Sequence, residues 1–510
     1  MSASVWNFVW RSAYHDSVTL MRLTRDLEAA SGVSRAAAMM GTPQNRDVLR
    51  DAGLLTAVGE SSGPTDLVIA IAAESEAAAR AAEALARTAL TAPPAETGGN
   101  LVRPRTLASA LRRLPDASLA LVSVPGPYAG AQARKALDAG LHVMLFSDNV
   151  PLETEIELKR LARSRGLFLM GPDCGTAIIA GVPLGFANAV PRGRIGIAAA
   201  SGTGVQEVST LIARAGEGIS HAIGVGGRDL SAAVGGLMME QALAVLAADA
   251  ATEAICVIGK PAEGDVAARL TRQLAGLGKP SVVHFVGATA DRSDGGASVS
   301  AATLEGCARA AVALVRGVRP ELAEFTLPRE DVERLVAQTV AELGPGQRFV
   351  RGVFSGGTLA WEARSILHAR VADVAPGVTG GGHGHRVVDL GEDVFTAGRP
   401  HPMIDGTLRR EWIAREASDS GTAVVLLDLV LGYGAHPDPA GELLPVLSQI
   451  RGARGRRVAI VASVTGTDAD PQPRAAQVAG LRGAGVVVMP SNAQAARLAA
   501  AIAVRANPSA

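Results

Sequence analysis

The stretch RIGIAAASGTGVQEVSTLIARAG, residues 194–216, decides the fold class of this chain. Its first half is a continuous apolar run, which is typical of a strand buried on both faces of a parallel sheet. Its second half is an amphipathic helix candidate, and the glycine-rich turn Ser201-Gly202-Thr203-Gly204 joins the two. A buried strand, a tight turn and a helix in this order predict a doubly wound α/β domain.

The same alternation continues on both sides of residues 194–216. The further strand candidates, in chain order, are SLALVSVP, HVMLFSD, LFLMGPDCG, AICVIGK, PSVVHFVG, RFVRGVFSGGT, RVVDLGED, AVVLLDLVLGYG, RVAIVASVTG and GVVVMPSN. Residues 1–92 differ, because short strands and helices alternate there in the order β-α-β-α-β-α, which suits a small ferredoxin-like module. The stretch TAPPAETGGNLVRP, residues 91–104, is rich in Pro and Gly and is predicted to be a linker. We therefore predict one small α/β module followed by three larger α/β units.

Composition excludes several classes of protein. The 510 residues carry 49 Lys plus Arg and 49 Asp plus Glu, and this balance argues against a general nucleic-acid binder. Three cysteines exclude a disulfide framework and indicate a reducing compartment. No apolar run is long enough for a membrane span, and the N-terminus MSASVWNFVWRSAYHD lacks the pattern of a signal peptide. We expect a soluble, cytoplasmic protein that binds neither nucleic acid nor membranes.

Two glycine-rich turns are candidate anion sites. In Ser201-Gly202-Thr203-Gly204 the glycines allow a ligand close to the backbone, and the helix N-terminus supplies free N–H groups. The turn is not a Walker A loop, because no Lys-Ser/Thr follows. Ser355-Gly356-Gly357-Thr358 repeats the arrangement, and two such helix ends facing each other could clamp one anionic group. For each turn the alternative is a tight turn that binds nothing.

Two cationic side chains also follow strand candidates. Arg228, in the turn Gly224-Val225-Gly226-Gly227-Arg228-Asp229, could bind a carboxylate or phosphate with two hydrogen bonds. The alternative is an arginine that stabilises the turn beside Asp229. Lys260 follows the apolar strand AICVIG, where it could meet an anionic substrate or reach solvent. Cys174 has no identifiable partner that would activate it, so a buried turn cysteine is predicted.

The polar stretch GGHGHRVVDLGEDVFTAGRPHPMID, residues 381–405, is a candidate substrate loop. It contains His383, His385 and His401 together with acidic residues that include Asp389. A zinc site is disfavoured because no cysteine accompanies the histidines, whereas Mg²⁺ held by one or two carboxylates stays open. No cofactor is assigned with certainty. Aromatic residues make up 3% of the chain, so few rings could stack on adenine, and this weakens the case for CoA or ATP.

Several motifs resemble a known enzyme superfamily. Gly171-Pro172-Asp173-Cys174-Gly175, followed by the strand and turn at Ser201, resembles the α subunit of succinyl-CoA synthetase. Residues 348–505 are similar to the C-terminal domain of the β subunit, with VVDLGED and VVLLDLVLGYG in the same order. The segments PDCGTAII, GVPLGFANAVPRG, GGRDLS and GRPHPMID identify the chain as a member of the FdrA type of this superfamily. The resemblance covers essentially the whole chain.

The resemblance implies a domain arrangement. A small module spans residues 1–92, and a truncated CoA-binding-like Rossmann unit spans 103–190. A flavodoxin-like domain of the α-subunit type follows over 191–320, and one of the β-subunit type over 330–510.

The chain also departs from the ligase pattern at three points. Residues 91–105 offer no glycine-rich phosphate loop for CoA. The stretch corresponding to the phosphohistidine turn is Ser293-Asp294-Gly295-Gly296-Ala297-Ser298, which lacks a histidine, and Lys260 replaces the glutamate that orients that histidine. An ATP-grasp domain is missing. Together these changes remove the phosphohistidine relay and leave a cation in place of a carboxylate.

The resemblance therefore implies group transfer through an acyl phosphate, with carbamoyl phosphate and oxamate as implied substrates. In this interpretation Ser201–Gly204 and Ser355–Thr358 bind phosphate, while Arg228 and Lys260 neutralise the carboxylate and the transferring oxygens. His401 or His385 is the candidate general acid/base. The alternatives are an ADP-forming acyl-CoA ligase subunit and a non-catalytic subunit that binds an acyl phosphate or CoA. Other protein subunits, or further copies of this chain, are the expected partners.

Overall fold

The structure is a computed structural model, and the part of the chain that it describes falls into two compact units. The described residues are 4–13, 15, 17–91, 104–260, 262–285, 292–293, 298–321, 323–371, 374–377, 384–396, 401–452 and 457–507. The predicted linker lies almost wholly outside them.

The first unit is formed by described residues within 1–117, 123–125 and 393–401. Its elements up to residue 117 are β1 (Ser4–Trp10), α1 (Ser17–Glu28), β2 (Val33–Met40), α2 (Pro43–Asp51), α3 (Ala57–Glu60), β3 (Leu67–Ala73), α4 (Glu76–Thr91) and α5 (Leu107–Arg113). The sheet order is β1-β3-β2, and β3 is antiparallel to both neighbours. Because β3 separates β1 from β2, helix α1 makes a split β-α-β connection. This confirms the predicted ferredoxin-like module.

Strand β3 is buried throughout because apolar side chains cover both faces of its sheet. Leu67, Ile69 and Ile71 belong to one buried cluster, and Val68 and Ala70 belong to the other. Successive side chains of a strand point to opposite faces, so the continuous run LVIAIAA fills two cores.

The second unit begins with a small parallel sheet. Its elements are β4 (Leu119–Val122), α6 (Gly126–Asp138), β5 (His142–Leu145), α7 (Leu152–Ser164) and β6 (Leu169–Met170). The sheet order is β4-β5-β6, with all pairs parallel, as expected for a truncated Rossmann unit.

The second sheet of this unit has eight strands in the order β13-β14-β12-β11-β9-β10-β7-β8. Its elements are β7 (Thr176–Ile179), β8 (Val182–Gly185), β9 (Arg192–Ala199), α8 (Gly202–Arg214), β10 (Ile219–Gly224), α9 (Leu237–Ala248), β11 (Ala254–Gly259), α10 (Asp265–Ala275), β12 (Ser281–Phe285), β13 (Arg292–Ser293), β14 (Ser298–Ser300) and α11 (Leu304–Arg316). The run from β14 to β10 is parallel, whereas β7 pairs antiparallel with β10. The hairpin β7–β8 therefore joins this sheet, although the predicted boundary placed it in the preceding domain.

The third sheet has six parallel strands in the order β16-β17-β15-β18-β19-β20. Its elements are α12 (Arg329–Ala341), β15 (Phe349–Phe354), α13 (Gly357–His368), β16 (Val374–Pro376), β17 (His385–Asp389), α14 (Asp393–Thr396), α15 (Thr407–Ser418), β18 (Thr422–Val430), α16 (Pro439–Gly452), β19 (Ala459–Thr465), α17 (Arg474–Gly483), β20 (Val487–Met489) and α18 (Asn492–Ala506). Helix α14 belongs to the first unit.

One hydrophobic core joins the second and third sheets. Val205 and Ile212 of α8 and Leu359 and Ala363 of α13 belong to the same buried cluster. This core packs the two helices together, and their N-termini carry the two glycine-rich turns. Among the described residues, the helices are too short or too polar to cross a lipid bilayer.

Candidate functional site

The two glycine-rich turns meet in the structure. The Ser201 Oγ and Thr358 Oγ1 atoms are 2.6 Å apart, although 157 residues separate them in the chain. A Cβ atom on Gly356 would lie 3.0 Å from Cγ2 of Thr203, so Gly356 leaves room for the Thr203 side chain. Because α8 and α13 both begin here, the partial positive charges of two helix ends converge at one place.

The first turn keeps free donors. Ser201 caps α8, and its Oγ accepts a hydrogen bond from the Gly204 amide at 3.0 Å. Within the described residues, the amides of Gly202 and Thr203 donate to no protein group. Gly204 is required by space, since a Cβ there would lie 2.4 Å from Ser201 Oγ. The turn therefore presents two amides and a hydroxyl to an anion.

The second turn is occupied by a carboxylate of the protein itself. Asp428, fully buried on β18, accepts from the Ser355 amide at 2.9 Å and from the Gly356 amide at 2.8 Å. Its carboxylate also accepts from the Ser355 hydroxyl and from Arg409 at 2.8 Å. The prediction that Ser355 and Gly356 bind an external phosphate is therefore corrected, because Asp428 already takes up their donors. Thr358 is the residue of this turn that reaches the first one.

A second carboxylate, Asp389, lies over the start of α13. A Cβ on Gly357 would be 2.6 Å from Asp389 Oδ2, so only glycine leaves room for this side chain. Asp389 ends β17 and accepts from the Gly391 amide at 2.9 Å. Burial raises the pKa of Asp389 to about 7, and the charge of Lys260 opposes that rise. A carboxyl with this pKa can both donate and accept a proton near neutral pH.

From the sequence, Asp389 was a possible Mg²⁺ ligand, and its position over the start of α13 was not predicted. The available signal was its place at the carboxyl end of a parallel strand, where α/β proteins collect their functional side chains. The neighbouring Asp428 has its oxygens occupied by four donor groups, which leaves it poorly suited to a metal ion. In the described part of the chain, no three His, Cys, Asp or Glu side chains group as metal ligands. His383 lies outside that part.

Lys260 and the Arg228 turn flank Ser201 on its sheet edge. Lys260 follows β11 and the turn with Gly226 and Gly227 follows β10, and both strands pair with β9. Lys260 is exposed, and its charge reaches Asp389 strongly enough to lower the pKa of that carboxyl. The structure thus brings Lys260 toward the region where the two turns meet.

Arg228 is held by the protein. Its Nε is 2.8 Å from Glu155 Oε2, and its Nη2 donates to the Val150 carbonyl at 2.8 Å. Glu155 also pairs with the fully buried Lys159, which in turn pairs with Asp229 at 2.8 Å. This network matches the alternative in which Arg228 stabilises its turn. Gly226 packs against Pro172, whereas a Cβ on Gly227 would meet no atom within 4 Å.

The two candidate histidines have different surroundings. His385 begins β17, and four residues of strand, about 13 Å, separate it from Asp389. Its Nδ1 accepts from the Val350 amide at 3.1 Å, and burial, with Arg351 and Arg348 nearby, lowers its pKa to about 4. This position at the amino end of the strand contradicts a role for His385 at the turns.

His401 belongs to the first unit, and burial lowers the pKa of its imidazole to about 4. Its role as a general acid/base stays a prediction. Cys174 is buried, as predicted, and burial raises the pKa of its thiol to about 12, so it is not an activated nucleophile.

Comparisons with known proteins agree with this architecture. The family described as CoA-ligase matches residues 353–502, and the family described as AllF, heavy metal-associated domain, matches residues 2–104. The uncharacterized protein YahF of Escherichia coli (strain K12) is 39% identical over 96% of this chain and 96% of its own length. The α-2 subunit of a mitochondrial ADP-forming succinate–CoA ligase of Trichomonas vaginalis is 33% identical over 34% of this chain.

The chain spans 58% of that ligase subunit's length. Among solved structures, a dinucleotide-forming acetyl-coenzyme A synthetase of Candidatus Korarchaeum cryptofilum shares 14% identity, with a TM-score of 0.29, over 77% of this chain and 83% of its own. A likeness of that size carries no functional argument, so the relation rests on the sequence matches.

Proposed function

This chain belongs to the FdrA-type family of the succinyl-CoA synthetase superfamily, and on that premise we propose that it transfers an acyl-phosphate-type group to a small acid or amide. Carbamoyl phosphate is the proposed donor and oxamate the proposed acceptor. The amide nitrogen of oxamate bonds to the carbamoyl carbon, and the bond from that carbon to the phosphate oxygen breaks. The amide proton passes to a base, and the products are oxalurate and inorganic phosphate.

The meeting of the two helix ends at Ser201 and Thr358 is the observation that carries this proposal. A phosphoryl group placed there would accept from the free amides of Gly202 and Thr203 and from one hydroxyl of the hydrogen-bonded pair Ser201–Thr358. Donors fixed in advance, where negative charge develops on the leaving phosphate, lower the barrier without reorganisation. Lys260 adds a mobile positive charge at the same sheet edge.

Asp389 is the proposed general acid/base of this reaction. It lies over the first residue of α13, and burial brings its pKa to about 7. In its ionised form it can take the proton that the acceptor amide loses as the new bond forms. It thereby replaces His385, which the fold places at the other end of β17.

The proposed route needs no phosphohistidine. The chain contains no histidine between His284 and His368. His284 itself is buried on β12, where its Nδ1 lies 2.9 Å from the Ala301 carbonyl oxygen. Direct transfer from the acyl phosphate avoids the covalent phosphohistidine step.

Phosphate release from carbamoyl phosphate and oxamate tests the proposal, with the chain alone and with candidate partner subunits. We expect release in at least one combination, and about a hundredfold loss of kcat in the double variant Ser201→Ala/Thr358→Val. Thr106→Ala is the matched control, because Thr106 also caps a helix, at 3.1 Å to the Ser109 amide, but lies in the first unit. Absence of phosphate release in every combination would contradict the proposal.

ADP-forming acyl-CoA ligation is the second candidate. The match of residues 353–502 to the CoA-ligase family favours it. It requires CoA-dependent and nucleotide-dependent turnover with a partner subunit, and an acid-labile phosphoenzyme. Incubation with radiolabelled ATP and partner subunits decides between the two, because carbamoyl transfer leaves no labelled protein. If activity of a complex survives both Asp389→Asn and Ser201→Ala/Thr358→Val, the chain is instead a non-catalytic binding subunit.

A further inference from the structure

A cavity of about 460 Å³ lies in the second unit between α8, α17 and β20. Three arginines line it: Arg214 from the last turn of α8, Arg474 from the first residue of α17, and Arg482 from near its end. Met489, the last residue of β20, and Pro490 also line it, so part of the cavity lies at the carboxyl end of that strand, where parallel α/β sheets bind ligands.

None of these three arginines forms an ion pair with a described acidic residue. Arg214 Nη1 donates to the Pro490 carbonyl at 2.9 Å, and Arg474 Nε donates to the Val464 carbonyl at 3.0 Å. Those two bonds fix the side chains in place and leave their other N–H groups for a ligand. The exposed side chain of Arg482 makes no hydrogen bond to any described group. Three guanidinium groups therefore line one cavity, and none of them is paired directly with a described carboxylate.

The charges around Arg474 support the same conclusion. Burial, together with the charges of Arg214 and Arg482, lowers the pKa of Arg474 to about 10, so the three cations repel one another. Glu207 and Asp468 oppose this effect from nearby. Both carboxylates already accept hydrogen bonds from elsewhere, Glu207 from Asn492 and Asp468 from Ala475. At neutral pH all three arginines are cationic, and a bound anion would relieve the repulsion.

The remaining wall of the cavity is apolar. Val478, Val488 and Met489 line it, and Val488 and Met489 are buried. A volume of about 460 Å³ exceeds the space that one phosphate ion fills, and it falls within the range of small-ligand sites. The site therefore suits an anion that carries more than one charged group, and it leaves space for an apolar group attached to that anion.

This cavity is separate from the Ser201 turn. Helix α8 has 13 residues, so its two ends are about 20 Å apart, with Ser201 at one end and Arg214 at the other. The inference thus does not depend on the proposed transfer reaction.

We propose that Arg214, Arg474 and Arg482 form a second anion site, which binds a compound with two linked phosphoryl groups. Two adjacent phosphoryl groups offer enough oxygens for three guanidinium groups. Arg474 and Arg482 come from the two ends of α17, and Arg214 comes from α8. Arginine binds phosphate oxygens with paired N–H groups, which gives a directional site.

Isothermal titration calorimetry of the full chain with inorganic pyrophosphate tests this site. We expect one tight site per chain, weaker binding of inorganic phosphate, and loss of affinity as salt is raised. Arg482→Ala should weaken pyrophosphate binding about tenfold, the effect of one charge-assisted hydrogen bond. Arg482 is exposed and unpaired, so the variant should fold, which a thermal melt verifies. Isopentenyl diphosphate shows whether the apolar wall adds affinity for an organic group.

Two controls separate this site from others. Arg329→Ala removes an arginine whose side chain is 91% exposed, on α12, and should leave binding unchanged. Ser201→Ala/Thr358→Val alters the first anion site and should likewise leave pyrophosphate affinity unchanged. The proposal is overturned if pyrophosphate does not bind, if Arg482→Ala binds as tightly as the parent, or if only the Ser201 double variant loses affinity.

Discussion

The turns at Ser201 and Ser355 have similar sequences and hold different groups. Both follow a parallel strand, and both begin a helix that packs in the shared core. In the described residues the amides of Gly202 and Thr203, the first two of α8, donate to no protein group, whereas at the second turn the carboxylate of Asp428 accepts from the amides of Ser355 and Gly356, which lie just before α13. A glycine-rich helix start thus predicts that an anion will be bound. It does not tell whether the anion is a ligand or a side chain from elsewhere in the chain.

The two turns therefore have different functions in the structure. Asp428 and Arg409, a buried ion pair at 2.8 Å, fix the start of α13, and Thr358 is thereby held beside Ser201. Among the described residues, no carboxylate accepts from the amides of the Ser201 turn, which leaves them available to a ligand. We infer that one turn supplies rigidity and the other supplies the binding site.

Removing the internal anion should have the largest effect. Asp428→Asn leaves Arg409 as a buried cation and cannot accept from all of the donors that the carboxylate satisfies. We expect the free energy of unfolding to fall by about 3–5 kcal/mol, the usual cost of breaking a buried pair. Urea denaturation measures this loss. Asp331→Asn is the control, since Asp331 is exposed on α12. A loss no larger than the control's would show that the two turns do not differ as described.

The second prediction concerns Asp389 and its pH dependence. Asp389→Asn should lower kcat of the proposed transfer about a hundredfold, because the general base is lost. The parent rate should rise with pH through about 7 as Asp389 ionises, and the variant should lack this limb. Glu411→Gln is the control, because Glu411 is an exposed carboxylate on α15. If the rate of Asp389→Asn still rises with pH through about 7, another group performs the proton transfer.

The carboxyl of Asp389 should also make the stability of the folded chain depend on pH. Stability should fall over the pH range in which the rate of transfer rises. The pKa of Asp389 is higher in the folded chain than the value of 3.8 expected when unfolded. The folded state therefore binds more protons between about pH 4 and pH 7, and its stability falls as pH rises through that window. In Asp389→Asn this contribution should vanish. Denaturation at several pH values would reveal whether activity and stability respond to one carboxyl.

Much of this fold follows from sequence patterns, because strand and helix periodicity is a local property. Continuous apolar runs such as LVIAIAA predicted the strands correctly, and the glycine turns were correctly placed at helix starts. Spatial partners were harder to predict. Asp428 lies 73 residues from Ser355, and no local pattern links them. The predicted boundary at residue 190 separates the hairpin β7–β8 from its sheet for the same reason, since its partner β10 follows later in the chain.

The histidines show a related limit of sequence patterns. His385 and Asp389 belong to one short motif, yet they occupy opposite ends of β17. In a parallel sheet only the carboxyl end faces the helix N-termini, so Asp389 approaches the turns and His385 does not. Residue type favoured the imidazole as the acid/base, whereas strand direction favours the carboxyl.

Lys260→Ala should have the smallest effect of these substitutions. It tests whether the Ser201 turn binds its anion with a side-chain cation as well as backbone amides. The side chain is exposed, so we expect no measurable change in the unfolding midpoint. Its charge lowers the pKa of Asp389, and removing it should move the acid limb of the transfer reaction to higher pH. Lys260→Arg keeps the charge and should restore the limb. If Lys260→Ala lowers kcat at every pH without moving the limb, the lysine contacts the transferred group itself, and the Ser201 turn then binds its anion with a side-chain cation as well as backbone amides.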